Sequence, residues 1–287
     1  MKNFKIFVLI ILVISFNALV IFGQKKIVHP IKPKDFDGLG LSKDIKTLVK
    51  GAHSKVETPF VFVARDEKTY AQLQNLVEGL PDVSTIDFST NAVIAGFAGE
   101  KSTGGWTVEI KKTAKGYGLI VQVPGKGMMV TQEITNPFNV AQVPIDSNKS
   151  LALDLPINFN SKIQNFRVNK GDFEYTGGIA GRRKQFKADG TIRLLTSGDY
   201  VSVWFDLKGK GADQTRKLSA IASGTFKNGN LEIERLDAGN FVEMPHPPFL
   251  VKGMLKDKTL SLNFEPLPTN VADGYEGRGS LEAVRIK

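Results

Sequence analysis

The sequence predicts an α+β domain followed by an all-β antiparallel domain. Three observations carry that prediction. A single helical apolar period sits near residue 70, among five β-rich runs. From Ile163 onward, short β-rich runs recur with turn signals between them and no helical period. The chain has no Cys among its 287 residues, so ordinary hydrophobic cores must hold it, and that length suits two domains better than one.

The chain opens on Met1-Lys2-Asn3-Phe4-Lys5, and an apolar run from Ile6 to Phe22 follows, softened only by Ser15 and Asn17. Gly23 then precedes Gln24-Lys25-Lys26, where apolar character stops. A basic start, an apolar centre and a small exit residue are the parts of an export signal. Residues 1–23 are therefore expected to send the chain to the periplasm, the cell surface or the medium of a bacterium, with cleavage after Gly23. The uninterrupted apolar centre, Ile6 to Ile14, is short for a bilayer span. Contact with a membrane is expected only if residues 1–23 are retained, and acylation is excluded for want of a Cys.

Residues 24–53 carry seven Lys against three Asp and read as a basic linker. Asp35-Phe36-Asp37-Gly38 resembles the start of a calcium loop. Leu39 stands where a third oxygen ligand is needed, and no Glu closes the loop, so the segment reads as a turn.

Residues 54–148 form the expected α+β domain. Phe60-Val61-Phe62-Val63-Ala64 is a strand by its β-branched and aromatic content. Asp66 is a helix N-cap, Tyr70, Leu73, Leu76, Val77 and Leu80 recur at helical spacing, and Gly79 and Pro81 supply the stop. Asn91 to Ala98 is apolar on both faces, as a buried central strand requires. Trp106–Lys111 and Tyr117–Val123 alternate, and Phe138–Ile145 completes five strands.

Residues 149–287 form the expected β domain. Its runs are Phe166–Val168, Phe173–Ile179, Thr191–Leu195, Tyr200–Leu207, Leu218–Phe226, Leu231–Leu236, Phe249–Leu255, Thr259–Phe264 and Gly279–Ile286. Turn residues separate them, as in Lys227-Asn228-Gly229-Asn230 and Lys256-Asp257-Lys258. That rhythm specifies a meandering barrel, with a sandwich as the alternative.

The chemistry of most enzyme classes is missing. Without Cys there is no thiol nucleophile, haem attachment or Cys-based zinc site. His29, His53 and His246 are not paired at ligand spacing, and neither a Gly-x-Ser-x-Gly elbow nor a phosphate-binding Gly loop occurs. Glu232 and Glu234 share one strand face, as exposed strands commonly arrange them. No catalytic residue, metal or cofactor is therefore expected. The net charge of +9 is spread along strands, with Arg182-Arg183-Lys184 the one compact basic run, and nucleic acid is not an expected partner.

One loop stands out. Gly99-Glu100-Lys101-Ser102-Thr103-Gly104-Gly105-Trp106 follows the most apolar strand and precedes an amphipathic one. Gly104 and Gly105 allow backbone conformations closed to other residues. Ser102 and Thr103 offer hydroxyls, and Trp106 offers a rigid surface with a polar handle. The loop suits presentation to a protein partner, the competing reading being a tight turn with Trp106 in the core.

Asp87-Phe88-Ser89, the run Ala92 to Trp106, and the later stretch Gly127-Met128-Met129-Val130-Thr131-Gln132-Glu133-Ile134-Thr135-Asn136-Pro137-Phe138 together resemble the PrcB C-terminal family of exported bacterial proteins. The resemblance covers about residues 58–146. The family is named for an accessory subunit of a cell-surface protease complex. It therefore implies a protease-associated, partner-binding module of the cell envelope without catalytic activity, whose partner is a protein such as an exported peptidase. Thr131 and Gln132 join residues 99–106 as expected partner-binding positions. Two other functions fit the sequence: a small-molecule carrier built on the C-terminal barrel, and a peptidase inhibitor, because Ser102-Thr103-Gly104-Gly105-Trp106 is similar to the Thr-Thr-Gly-aromatic loop of chagasin-type inhibitors.

Overall fold

The computed structural model describes residues 45–114, 116–145, 151–160, 162–177, 182–212, 215–237, 248–267 and 276–286. The expected export signal, the linker up to residue 44, His29 and His246 lie outside them.

The first sheet has the order β1-β6-β3-β2, all neighbours antiparallel. Its strands are β1 (Lys46–Gly51), β2 (Phe60–Ala64), β3 (Asn91–Phe97) and β6 (Phe138–Pro144). β1 corrects the linker reading, which ran to residue 53. Lys46 and Lys50 are exposed while Leu48 and Val49 pack against the core. Lysines on an edge strand deter pairing with other chains, and in sequence they look like a solvated tether. β3 is central and buried from Ala92 to Phe97, as its two apolar faces require.

Helix α1 (Glu67–Gln74) follows β2, and the Asp66 carboxylate caps it by accepting from the Thr69 N–H at 2.8 Å. The helix stops before Leu76 and Val77, which the helical spacing placed inside it. Both are still buried, in the irregular turn beyond the Asn75 C-cap. A second, three-stranded sheet, β4 (Thr107–Thr113), β5 (Gly116–Gln122) and the two-residue β7 (Leu153–Asp154), covers the first. Val108 and Leu119 press onto Gly96, where the missing side chain lets the two layers close.

After the short helix α2 (Ile157–Asn160), strands β8 (Gln164–Gly177), β9 (Arg182–Ser197), β10 (Tyr200–Lys210), β11 (Thr215–Lys227), β12 (Asn230–Leu236), β13 (Phe249–Lys256), β14 (Thr259–Pro266) and β15 (Glu276–Ile286) run in sequence order. They close into an antiparallel barrel through the β15–β8 pairing. The meander is confirmed, and two of the nine expected runs are one strand. Phe166–Val168 and Phe173 onward both belong to β8, whose register shifts between Arg167 and Asp172. Such a bulge breaks the period of two. Asn228 and Gly229 have φ of 52° and 82°, the pair of left-handed residues that a tight hairpin demands.

Phe173, Phe205, Phe249 and Phe264 fill the barrel interior, with ring centroids 5.0 to 6.4 Å apart. Each is at most 3% exposed. This argues against the carrier reading, because the core holds side chains where a ligand would sit. A cleft of about 680 Å3 lies beside this cluster, lined by Phe173, Phe186 and Phe264 together with charged residues that include Asp172, Glu174 and Arg278. Apolar side chains point inward and polar ones outward along the strands, as in Leu260, Leu262 and Phe264 against Ser261, Asn263 and Glu265. A membrane-spanning barrel has the reverse pattern. Among the described residues, no helix is long and apolar enough to cross a bilayer.

Three apolar residues on the barrel's outer wall, Leu195, Trp204 and Ile221, share a core with the first sheet. β2 is that sheet's edge, and the barrel covers it. The Val63 N–H donates to Ser223 Oγ at 2.9 Å, and Ser202 Oγ donates to the Val61 carbonyl at 2.5 Å. The two hydroxyls lie 2.6 Å apart. Because the Ser202 proton goes to Val61, the Ser223 hydroxyl donates to Ser202. The relay pairs edge groups that would otherwise be buried without partners. Arg65 and Asp237 bridge the junction at 2.8 Å, and Lys68 meets Glu234 at 3.3 Å. Sheet and barrel thus belong to one compact unit, Leu41–Lys287.

Candidate functional site

The loop between β3 and β4 is held at its base by backbone pairing. The Ala98 N–H donates to the Pro137 carbonyl at 2.9 Å and the Glu100 N–H to the Glu57 carbonyl at 2.8 Å. Gly99 lies at φ +70°, and a Cβ there would stand 2.7 Å from the backbone of Thr58 and Pro59. Only glycine combines that dihedral with so close an approach.

Beyond Gly99 the loop runs beside the connection from β5 to β6. Lys101 and Thr135 exchange backbone hydrogen bonds at 2.8 and 2.9 Å, Gly104 N–H donates to the Thr131 carbonyl at 2.9 Å, and Thr135 Oγ1 donates to the Thr103 carbonyl at 3.0 Å. Gly105, at φ +80°, lets Val130 and Pro124 close against its backbone. Two irregular segments therefore brace each other, although they are well separated in the chain. Residues 99–106 and Thr131, picked from sequence, are brought together. Gln132 lies on the same connection, exposed.

Trp106 is neither a core residue nor a free one. It is partly buried, its indole N–H donates to Thr103 Oγ1 at 3.3 Å, and the Lys101 ammonium lies 5.3 Å from the ring centroid. That ammonium also donates to the Ala98 carbonyl at 2.7 Å. Partial burial moves the Lys101 pKa below its ordinary value of 10.5. The cation over the ring fixes the indole with one face against the loop.

Four exposed apolar side chains lie outside the expected partner-binding positions. Val123, Met128, Met129 and Ile134 are 65, 62, 100 and 63% exposed, and all four lie on the β5–β6 connection. Gly125–Met128 form a turn closed by the Met128 N–H on the Gly125 carbonyl at 3.0 Å, with Gly127 at φ +84°. A type II turn needs that sign at its third residue. Exposed apolar side chains grouped on one segment mark interaction sites, and methionine adapts readily to a partner's surface. The sequence signal was present in Gly127-Met128-Met129, where two large apolar residues directly follow turn residues. At the connection's far end His53 and Glu133 form an exposed pair at 3.5 Å.

Among the described residues no group of three or more His, Asp or Glu could hold a metal ion. What the site offers is main chain, a braced indole and four apolar side chains.

Comparison with curated proteins and with solved structures returned no match. A family comparison did: residues 92–144, the run from β3 through both braced segments to the end of β6, match the PrcB C-terminal family.

Proposed function

We propose that this chain is an exported, non-catalytic interaction protein that associates with a peptidase through the paired segments 99–106 and 123–134. The observation that carries the reading is the exposed row Val123, Met128, Met129 and Ile134 on a segment fixed by hydrogen bonds to the glycine-rich loop. A fixed loop loses little conformational entropy on binding, so its apolar side chains contribute most of their burial to affinity. The family match supports a protease-associated role and falls on this same segment. Trp106 anchors the rim, and the barrel serves as the scaffold that covers β2.

The test is affinity purification of the full chain from cells that naturally produce it, with proteolytic activity measured in the eluate. Wild type brings down activity, and the double variant Met128→Asp, Met129→Asp loses it while keeping its circular dichroism spectrum. Equal activity with both proteins, or none with wild type, would overturn the reading.

A further inference from the structure

Among the described residues, sulfur is confined to the surface. The chain has five Met and no Cys. Met1 belongs to the expected export signal, and Met244 lies outside the described residues. The other three, Met128, Met129 and Met254, are 62, 100 and 50% exposed, and neither hydrophobic core contains a Met. Two of the three are neighbours on the segment that carries the exposed apolar row. Their shielding differs. Met128 Sδ folds back over its turn, 3.0 Å from where a Cβ on Gly125 would stand, whereas the Met129 side chain is fully exposed.

We propose that Met128 and Met129 form an oxidation switch: a peroxide converts them to methionine sulfoxide in the free chain, which then no longer takes up its protein partner. In that step the thioether sulfur attacks one oxygen of hydrogen peroxide. An S–O bond forms, the O–O bond breaks, and the second oxygen leaves as water; the sulfur loses two electrons and the peroxide gains them. The product carries a polar, chiral sulfoxide where an apolar thioether stood. An oxygen pressed into an apolar contact without a donor opposes binding. The fold is untouched, because no Met packs in either core. With no Cys in the chain, no thiol of its own takes the oxidant first. The reverse step is equally clean: a dithiol supplies two electrons, the sulfoxide oxygen leaves as water, and the dithiol becomes a disulfide. Such a reductant breaks no bond of this protein, which has no disulfide to lose. The inference rests on the interaction reading above and adds its regulation.

The experiment treats the purified full chain with hydrogen peroxide, desalts it and maps its methionines by mass spectrometry. The chain is then mixed with untreated extract of cells that naturally produce it, and the proteolytic activity retained with it is measured. Met129 is oxidised ahead of Met128 and Met254, and the circular dichroism spectrum stays the same. Retained activity falls at least about tenfold once Met128 and Met129 are oxidised, a scale ordinary for the loss of interface anchors. Methionine sulfoxide reductases A and B, one for each sulfoxide epimer, restore it in the presence of dithiothreitol. Met254→Leu behaves as wild type before and after treatment. Equal activity before and after treatment overturns the inference and leaves the interaction reading standing. So does a loss that tracks Met254, that accompanies unfolding, or that the reductases do not reverse. If the untreated chain retains no activity, the interaction reading and the inference fall together.

Discussion

The serine relay under β2 gives the sharpest stability prediction. Ser223→Ala removes the acceptor of the Val63 N–H in a place where Val63 is 1% and Ser223 2% exposed. Water does not replace the lost partner, and an unpaired buried donor costs about 1–3 kcal/mol. Ser202→Ala similarly strands the Val61 carbonyl. The two hydroxyls are bonded to each other, so the double variant should differ from the sum of the singles by about 0.5 kcal/mol or more. For a unit of this size, each kcal/mol lowers the melting temperature by roughly 2–4 °C. Urea unfolding followed by tryptophan fluorescence and by far-ultraviolet circular dichroism reports the effect. One shared transition is expected, shifted to lower urea in every variant, because Trp106, beside the first sheet, and Trp204, on the barrel wall, belong to one continuous unit. A change under about 0.5 kcal/mol, the range of ordinary surface substitutions, would refute the claim that the hydroxyls satisfy a sealed edge. Separate transitions for sheet and barrel would refute the claim that they form one unit.

Trp106→Ala should leave the fold intact with a loss of about 1 kcal/mol, since the indole is only partly buried and its cation contact is worth about 0.5–1 kcal/mol. It should weaken partner binding more than it weakens stability; global unfolding would return Trp106 to the core. Acid stability should depend on Asp87, whose carboxylate accepts from the Ser89 hydroxyl, the Thr90 hydroxyl and the Ser89 N–H. Those bonds, the Ser89 hydroxyl foremost, hold its pKa below the ordinary 3.8. A depressed carboxylate stabilises the fold above that value, and the stabilisation disappears as pH falls through the lower, folded-state pKa. The gap in urea midpoint between wild type and Asp87→Asn should therefore be full near neutrality and close in strong acid. A gap constant across pH would contradict the assignment.

Legibility in the sequence followed how local each feature was. β2, β3 and the Asp66 cap were readable because their determinants lie within a few residues. The barrel was readable because its hairpins are short and Asn228-Gly229 and Asp257 declare their turns. β1 was not, because two edge lysines masked Leu48 and Val49. The β8 bulge split one strand into two apparent runs. The junction was hidden in alternation that looks ordinary: Tyr200, Ser202 and Trp204 share the outward face of β10, and only the two aromatic residues depart from a polar outer face. At the site, glycines and Trp106 drew notice through their chemistry. Met128 and Met129 were quoted only for the family resemblance and not as partner-binding positions, because an exposed apolar side chain resembles a core residue until the fold shows which way it points.

A photo-reactive residue at position 129 tests the central claim most directly. It would be introduced into the full chain, irradiated in cells that naturally produce the protein, and followed by mass-spectrometric identification of adducts. Ser261, on the outward face of β14 and four strands round the barrel from β10, is the control position. An adduct to a peptidase is expected from position 129, and none from position 261. No peptidase adduct from position 129, or equal labelling from both positions, would contradict it.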